Sequence, residues 1–313
     1  MSKIVIALGG NALQSKNSAP TAEAQLEVVK QTCEHIAALS TAGYELAIVH
    51  GNGPQVGRIV LASETAKDVV PPMPFDVCGA MSQGYIGYHL QQSLCYALKK
   101  HNLNIPVVSL LTQMVVERDD PAFQNPTKPI GAFYTEEEAK KLAATKGYEM
   151  REDAGRCWRR VVASPLPRRI VEIREVKSLW DNTIVVTCGG GGIPVYPTEG
   201  NHLKGAGAVI DKDFAAELLA EELDADSLII LTAVEKVAIH FGKPDVKWLD
   251  ELTPAEAQKY IADGEFAPGS MLPKVQAAVK FAESAPGRTA LITLLEKARE
   301  GIAGKTGTSV RQA

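Results

Sequence analysis

The sequence predicts an α/β fold with a largely parallel sheet and helices on both of its faces. Short apolar runs rich in β-branched residues alternate with long stretches in which apolar residues recur at helical spacing. Most of the short runs are apolar throughout, as is typical of strands covered on both faces. Regular alternation of strand and helix favours parallel pairing through helical crossovers.

The predicted elements follow one another along the chain with one interruption. The strands are predicted at residues 3–8, 45–50, 107–111, 183–188, 228–232 and 289–293. The helices are predicted at 22–42, 76–100, 213–223 and 270–284. Gly43 stands where a glycine that ends the first helix is expected.

The interruption is the polar segment 118–164, which is rich in proline and charge. Its aromatic residues, among them Phe133, Tyr148 and Trp158, are not typical of a linker. We therefore expect an inserted, ordered subdomain with a hairpin and a short helix.

Composition limits the classes of function. The 313 residues carry 33 Lys+Arg and 37 Asp+Glu, a net charge of −4, so no basic surface for nucleic acid is expected. No apolar run reaches the length of a membrane span, and residues 1–10 lack the long apolar stretch of a signal peptide. The five cysteines show no paired spacing, which argues against a disulfide framework and a zinc site. These features predict a cytoplasmic protein that binds neither nucleic acid nor membrane.

Three predicted strands end in glycine-rich turns: LGGNA (8–12), HGNGPQVG (50–57) and CGGGGIPV (188–195). Ligands of open α/β sheets bind beyond the carboxyl ends of the strands, where these turns are expected. Glycine allows backbone N–H groups to approach an anion closely, and a following helix N-terminus adds favourable charge. A single turn of this kind has a structural explanation, but three together predict a polyanionic ligand.

Two common nucleotide motifs are absent. The dinucleotide fingerprint fails because Gly51 and Gly53 are followed by Gly57 and not by a glycine at position 56. The sequence GIAGKT at 301–306 has too short a spacing for a phosphate-binding P-loop, and we interpret it as a surface turn. Neither a dehydrogenase nor a P-loop NTPase is supported.

Three lysines stand out from the solvated majority. Lys128 lies between two prolines, Lys212 lies between two aspartates at a predicted helix start, and Lys274 follows a proline at another helix start. Ammonium groups fixed in this way suit phosphoryl transfer, which depends on positive charge held against developing negative charge. Asp213, between Lys212 and Lys274 in sequence, is placed to orient both or to serve as a helix-start carboxylate.

The motifs LGGNA, HGNGPQVG, MSQGYIGY, NPTKPIG, WRRVV, GGGGIPV, VIDKD and GSMLPK, in this order, resemble the carbamate kinases of the amino-acid kinase family. The resemblance runs from residue 3 to about residue 308. It implies a three-layer αβα sandwich with a central, mainly parallel sheet, a small protruding subdomain at 118–164, and a homodimer. It also implies one amino-acid-kinase domain over 1–313, with an acceptor-side lobe at 1–182 and a nucleotide-side lobe at 183–313.

The resemblance implies roles for individual residues. It makes Lys128, Lys212, Asp213 and Lys274 the catalytic set. It assigns the transferred phosphoryl group and carbamate to Gly9, Gly10, Asn11, Gly51, Asn52 and Gly53. It assigns the adenine nucleotide to Gly190, Gly191, Lys212, Ala233, Val237, Met271, Pro273 and Lys274. No side chain is assigned to a metal, and Mg²⁺ is expected with ATP or ADP.

The implied reaction is reversible phosphoryl transfer between ATP and carbamate, with carbamoyl phosphate as the acyl phosphate. Carbamate carries its own anionic oxygen and needs no general base, which fits motif turns made of glycine, asparagine and lysine. A catabolic, ATP-forming direction is implied, as in the breakdown of arginine or purine derivatives. Two positions depart from the family pattern: Cys157 replaces a hairpin glycine, and Glu235 replaces an aspartate.

Three other functions remain open from sequence. A neighbouring amino-acid kinase needs an arginine for the substrate α-carboxylate, and Arg58 and Arg159 are the candidates. A serine hydrolase with Ser82 as nucleophile lacks the preceding strand and the first glycine of the motif. A non-catalytic nucleotide-binding relative is disfavoured by the presence of all three lysines.

Overall fold

The computed structural model describes residues 2–14, 19, 21–153 and 157–312, without the side chain of Asn11. Within these residues the helices are α1 (Ala22–Ser40), α2 (Gly53–Thr65), α3 (Phe75–Lys100), α4 (Glu136–Lys146), α5 (Ile173–Trp180), α6 (Lys212–Glu222), α7 (Pro254–Ala262), α8 (Met271–Ser284) and α9 (Ala298–Ile302). The first nine strands are β1 (Lys3–Leu8), β2 (Glu45–His50), β3 (Val107–Ser109), β4 (Gln113–Val115), β5 (Lys128–Tyr134), β6 (Met150–Asp153), β7 (Cys157–Val162), β8 (Arg169–Ile170) and β9 (Ile184–Val186). The remaining strands are β10 (Ile193–Pro197), β11 (Leu203–Gly205), β12 (Ser227–Thr232), β13 (Val237–Ile239), β14 (Lys247–Leu249), β15 (Glu251–Leu252), β16 (Thr289–Leu294) and β17 (Thr308–Arg311).

The largest sheet confirms the predicted fold class. Its eight strands in the described chain lie in the order β15-β17-β16-β12-β1-β2-β9-β3. The six strands from β16 to β3 are mutually parallel, and they are the six strands predicted from the apolar runs. Strand β17 runs antiparallel to β16 and carries β15 at the edge of the sheet.

The alternation of side chains along β1 separates two layers of helices. Ile4 and Ile6 pack into a core with α1 and α3, whereas Val5 and Ala7 pack into a second core with α6 and α8. Each central strand is therefore buried on both faces, which is why its sequence is apolar throughout. The four predicted helices correspond to α1, α3, α6 and α8.

The inserted segment is ordered and carries its own sheet. Strands β5, β7 and β6 pair in antiparallel fashion, and α4 packs against them, so the subdomain has three strands and not only a hairpin. Ile130 and Val162 of this sheet pack with Val56 and Val60 of α2 in a small apolar cluster. The subdomain is thereby docked on α2.

The predicted boundary between lobes at 182/183 does not follow the pairing of the sheet. Strand β9, which lies beyond that boundary, pairs between β2 and β3 of the N-terminal part. A smaller sheet, β11-β10-β4-β8, also joins strands from both sides of the boundary. The division into two lobes stays a prediction, because the order of the strands does not separate them.

None of the helices in the described part of the chain combines the length and the apolar character that crossing a membrane requires.

Candidate functional site

The glycine-rich turns meet because their strands are neighbours in register. Leu8 at the end of β1 pairs with His50 of β2 on one side and with Leu231 of β12 on the other. The turns that follow these strands therefore lie side by side at one edge of the sheet, as expected for a ligand site of a parallel sheet. Gly9 lies so close to β12 that a Cβ atom there would come within 2.7 Å of the Leu231 carbonyl oxygen.

Two adjoining cavities open at this edge. The subdomain-side cavity, of about 320 Å³, is bounded by the turn 51–53, by Lys128 and Arg159 of the subdomain, and by the start of α6. The β16-side cavity, of about 310 Å³, is bounded by Gly9, by the ends of β12 and β16, and by Ser270 before α8. Both cavities share the residues Gly10, Lys212, Gly269 and Lys274.

A buried charge cluster lies where the two cavities meet. The Lys212 Nζ is 2.5 Å from Asp213 Oδ1, and the Lys274 Nζ is 2.9 Å from Asp213 Oδ2. Asp213 is almost fully buried, so each of its oxygens is occupied by one lysine. Two ammonium groups from the first turns of α6 and α8 are thus held next to each other by one carboxylate.

Burial and neighbouring charge shift the pKa values within this cluster. Burial lowers the pKa of Lys212 to about 8, because the attraction of Asp213 only partly replaces lost hydration and Lys274 adds repulsion. Burial opposes ionisation of Asp213 as well, but the two lysines outweigh it and hold the Asp213 pKa well below its usual range. For Lys274 burial is also outweighed, here by the charge and hydrogen bond of Asp213, and the Lys274 pKa is raised.

Lys128 reaches the same site from the subdomain. It is the first residue of β5, and its Nζ lies 2.5 Å from Asp211 Oδ2, the residue that precedes Lys212. The structure therefore brings Lys128, Lys212, Asp213 and Lys274 together, with Asp211 as a fifth charged group.

Backbone groups at the site are available to an anion. Helix α2 begins at Gly53, and its cap residue Asn52 makes no capping hydrogen bond; the Asn52 Nδ2 donates to Ser82 Oγ at 2.8 Å. First-turn N–H groups left uncapped in this way attract negative charge.

The other predicted site residues occupy varied positions. Gly190 lines the subdomain-side cavity and is pressed against the Asn52 amide, while Ala233 lines the β16-side cavity. Met271 and Pro273 lie in the first turn of α8. The side chain of Asn11 lies outside the described part of the structure.

Four of the predicted nucleotide residues, Gly191, Val237, Met271 and Pro273, border neither cavity. Gly191 adopts a positive φ of 91° and packs against Ile210, where a Cβ would come within 2.3 Å of a carbonyl oxygen. Val237 is fully buried, and its N–H donates to Thr308 Oγ1. Their assignment to the nucleotide stays a prediction.

Sequence reasoning missed several groups that line the cavities. The sequence offers Arg159 only as a carboxylate-binding residue for another substrate, yet it borders the subdomain-side cavity with Asp153 as its 3.2 Å ion-pair partner. Glu296 lines the β16-side cavity. The position of Glu296 beyond a predicted strand was the available signal, since the turns after parallel strands gather at one edge.

Two sequence motifs do not form the sites that they resemble. Ser82 is completely buried within α3, where its hydroxyl donates to the Gly79 carbonyl and accepts from Asn52, which excludes an exposed nucleophile at a strand-to-helix turn. The GKT sequence follows α9 as an exposed turn, as predicted, with Gly304 at a φ of 72°.

The site contains few side chains that could bind a metal ion directly. Among the described residues no group of three or more His, Cys, Asp or Glu side chains is arranged to hold a metal ion. Of the carboxylates that border the cavities, Asp213 is engaged by two lysines, Asp211 by Lys128 and the Asp213 N–H, and Asp153 by Arg159. Glu296 is a further carboxylate, on the β16-side cavity.

Comparison with known proteins gives consistent matches over the whole chain. The model of the amino acid kinase family matches residues 2–293. The carbamate kinase of Clostridium perfringens is 54% identical over 98% of this chain and 99% of its own. The carbamate kinase-like protein YqeA of Escherichia coli is 55% identical over 99% of both chains. The structure titled carbamate kinase from Giardia lamblia bound to AMP-PNP is 44% identical, with a TM-score of 0.90 over 100% of this chain and 99% of that chain.

Proposed function

Because the chain belongs to the amino acid kinase family, and within it to the carbamate kinases, we propose that it transfers a phosphoryl group reversibly between ATP and carbamate. The products of the forward reaction are ADP and carbamoyl phosphate. The observation that carries this proposal is the position of Lys212 and Lys274, paired on one buried aspartate at the junction of two cavities. One cavity suits the phosphoryl acceptor and the other suits the nucleotide.

Phosphoryl transfer to carbamate needs little covalent chemistry from the protein. A carbamate oxygen attacks the γ-phosphorus of ATP, the bond from that phosphorus to the β–γ bridging oxygen breaks, and ADP leaves. Because the attacking oxygen is already anionic, no side chain has to remove a proton. The contribution of the protein is alignment of the two substrates and compensation of negative charge.

The proposed roles of the side chains follow from their positions. Lys212 and Lys274, shared by both cavities, balance the charge that moves between the nucleotide and the transferred group. Lys128 acts from the subdomain on the acceptor side. The uncapped start of α2 and the glycines of both turns offer N–H groups to the phosphoryl oxygens.

We propose Mg²⁺ as the accompanying ion, carried by the nucleotide phosphates. Asp211 and Asp213 have their oxygens engaged, so the protein offers the ion few direct ligands. Ions bound in this way neutralise phosphate charge, as Mg²⁺ does when it keeps several of its waters.

We also propose that the enzyme works in the cell in the ATP-forming direction. Carbamoyl phosphate is an energy-rich acyl phosphate, so transfer of its phosphoryl group to ADP is favoured. Breakdown of arginine or of purine derivatives is a suitable source. Five unpaired cysteines agree with a cytoplasmic location.

A homodimer is the proposed assembly. Val77, Met81 and Tyr88 are exposed and lie on one side of α3, spaced four and seven residues apart. Tyr88 and the exposed Leu111 border a cavity of about 440 Å³ between α3 and β3, whose lining includes none of the lysines and aspartates of the charge cluster. An apolar surface of this kind supports self-association.

The test is a coupled assay for ATP formation from ADP and carbamoyl phosphate with Mg²⁺. We expect turnover with carbamoyl phosphate, and in the reverse direction ADP release from ATP with carbamate but not with acetylglutamate or aspartate. The K274M variant, purified in parallel, controls for contaminating kinases. Faster turnover with an amino acid than with carbamate contradicts the proposal.

One observation favours a second candidate, a kinase for an amino-acid carboxylate. Arg159 lines the subdomain-side cavity, as a carboxylate-binding arginine needs to. Its guanidinium group is, however, engaged by Asp153 and by the Gly131 carbonyl. The amino-acid arm of the same assay tests this candidate directly.

A further inference from the structure

Asp211 is an unexpected residue in a site built for anions. It lines the subdomain-side cavity and is 8% exposed. A carboxylate in that position repels an incoming phosphoryl group, and its burial is costly unless it is paired. We therefore expect Asp211 to make a favourable interaction that offsets this cost.

Both oxygens of Asp211 make defined contacts. Oδ1 accepts the Asp213 N–H at 2.9 Å and so caps the start of α6. Oδ2 accepts a hydrogen bond from the Lys128 Nζ at 2.5 Å. One side chain thus connects the helix that carries Lys212 and Asp213 with the subdomain that carries Lys128.

The Lys128–Asp211 contact joins the subdomain to the opposite wall of the cavity. The subdomain also makes ion pairs with α2, through Arg160 and Glu64 at 3.2 Å and through Lys146 and Glu64 at 4.0 Å. These two pairs lie on the side where the apolar cluster docks the subdomain. The contact at Asp211 therefore fixes the position of the subdomain on its other side, across the cavity.

Charge balance explains why a carboxylate is suited to this position. Three lysines and two aspartates give the cluster a net charge of +1 when all are ionised. Within the described part of the chain, Asp211 is the carboxylate that pairs with Lys128, and a partly buried ammonium without a counter-charge is unfavourable. An arriving phosphoryl oxygen can replace the Asp211 oxygen as the partner of Lys128.

We propose that Asp211 is a positioning residue that acts through Lys128. In the ligand-free enzyme it holds the Lys128 ammonium over the acceptor cavity and keeps the subdomain docked there. The kinetic part of this inference rests on the proposed function, whereas the structural part does not.

The test uses Asp211→Asn in the full-length protein. Asparagine still accepts the Asp213 N–H as a good helix cap, but it lacks the charge that pairs with Lys128. Asp120→Asn is the matched control, since Asp120 also caps a helical turn, accepting N–H groups of Ala122 and Leu166, and borders neither cavity.

The first readout is amide hydrogen exchange of the ligand-free protein. We expect faster exchange in β5 and β7 in Asp211→Asn and in Lys128→Met, by roughly tenfold if one charge-assisted hydrogen bond is lost. Asp120→Asn should leave β5 and β7 unchanged. Equal exchange in Asp211→Asn and the unmodified protein would overturn the proposal, whatever reaction the enzyme catalyses.

The second readout is a double-mutant cycle on turnover. In the unmodified background, Asp211→Asn should lower kcat/KM for carbamoyl phosphate by roughly ten- to hundredfold and change KM for ADP by less than about twofold. In the Lys128→Met background the same substitution should have almost no further effect. Additive losses would mean that Asp211 acts independently of Lys128 and would overturn the proposal. Absence of any carbamoyl phosphate activity in the unmodified enzyme refutes the proposed function and leaves the exchange experiment to decide on Asp211.

Discussion

At the scale of single residues, Asp213 determines how the positive charge of the site is arranged. It accepts hydrogen bonds from Lys212 and Lys274 and is itself inaccessible to solvent. The two lysines differ in how readily they lose their charge: the pKa of Lys274 is raised, and the pKa of Lys212 is lowered. Removal of either lysine should therefore have a distinct kinetic effect.

We expect Lys274→Met and Lys128→Met each to lower turnover by roughly 10²–10³-fold, the scale for loss of one preorganised charge-stabilising donor. Lys274→Met should also raise KM for ADP, because Lys274 borders the β16-side cavity. Lys128→Met should mainly impair use of carbamoyl phosphate, because Lys128 borders only the subdomain-side cavity of the two. Steady-state kinetics with both substrates measures this division.

The controls are exposed lysines on neighbouring helices, Lys259→Met on α7 and Lys141→Met on α4. Both should change turnover by less than about twofold, as expected for surface substitutions. Rates close to those of the unmodified enzyme in Lys274→Met and Lys128→Met would remove charge compensation from the mechanism.

The lowered pKa of Lys212 predicts a pH dependence of nucleotide use. The charged form is the one that balances phosphate, and in the free enzyme it is lost as the pH rises through about 8. Since kcat/KM reports ionisations of the free enzyme, kcat/KM for ADP should fall above about pH 8. In Lys212→Arg, whose guanidinium stays charged, the fall should disappear even if the maximum rate is lower.

The lowered pKa of Lys212 affects the free energy of unfolding in the opposite direction. Between about pH 8 and the ordinary lysine value of 10.5, the unfolded chain binds the proton that folded Lys212 has released. The contribution of Lys212 to the unfolding free energy therefore rises with pH in this range. Melting temperatures of the ligand-free protein and of Lys212→Arg, compared across this range, check the sign.

The sequence was informative about the lysines and less so about their partners. Lys128, Lys212 and Lys274 could be singled out because prolines or helix starts restrict each one, and the structure brings all three together. The Lys128–Asp211 pair could not be derived, because its residues are 83 positions apart and their contact depends on how the subdomain docks. The position of Arg159 could not be derived either, since nothing in its local sequence specifies which cavity it borders.

At the scale of elements, the contact between α2 and β5 controls where the subdomain sits. A Cβ atom at Gly57 would lie 2.2 Å from the backbone of Gly131, so glycine at position 57 permits an approach that no larger residue allows there. Gly131 also has a positive φ of 70°. The sequence showed both glycines, but the docking of β5 on α2 was not apparent from either one alone.

We expect Gly57→Ala to push the subdomain away from α2. It should lower the free energy of unfolding by about 1–3 kcal/mol, the usual cost of overpacking. It should also reduce kcat/KM for carbamoyl phosphate while KM for ADP stays nearly constant, because Lys128 moves with β5. Chemical denaturation and steady-state kinetics provide the two measurements.

Gly79→Ala in α3 is the matched control, since a Cβ there meets no atom within 4 Å. It should be neutral or slightly stabilising, because alanine favours a helix more than glycine does. If Gly57→Ala behaves like this control, the close approach has no influence on the acceptor side.

The predicted elements were most accurate where the sequence pattern is strongest. The six buried strands and four long helices were found because their apolar spacing is regular and the sheet buries them on both faces. The subdomain was predicted as a hairpin and a short helix, although it contains three strands. Strands such as β6 (Met150–Asp153) are polar and largely exposed, so the apolar pattern that reveals a strand is missing there.

At the scale of the whole molecule, the exposed apolar side of α3 is the surface on which the proposed dimer can be tested. If Val77, Met81 and Tyr88 form the proposed dimer surface, the protein should sediment as a dimer at micromolar concentration. Met81→Asp should shift it towards the monomer, because a buried unpaired carboxylate disfavours association. Leu166→Asp, at an exposed apolar residue outside α3, should leave the dimer intact. A monomeric unmodified protein in analytical ultracentrifugation would contradict the proposal.

The central position of β1 has a consequence for how the chain folds during synthesis. Its partner on one side is β12, and the hydrogen bond from the Lys3 N–H to Asp226, the residue before β12, spans 223 positions. Translation must therefore proceed through most of the chain before that edge of β1 can pair, and pairing over such a separation is slow. Until then the nascent protein exposes an apolar strand edge of the kind that promotes aggregation. We therefore expect recombinant yield to depend on the supply of holdase chaperones and on the rate of translation before β12, more than on the stability of the finished fold.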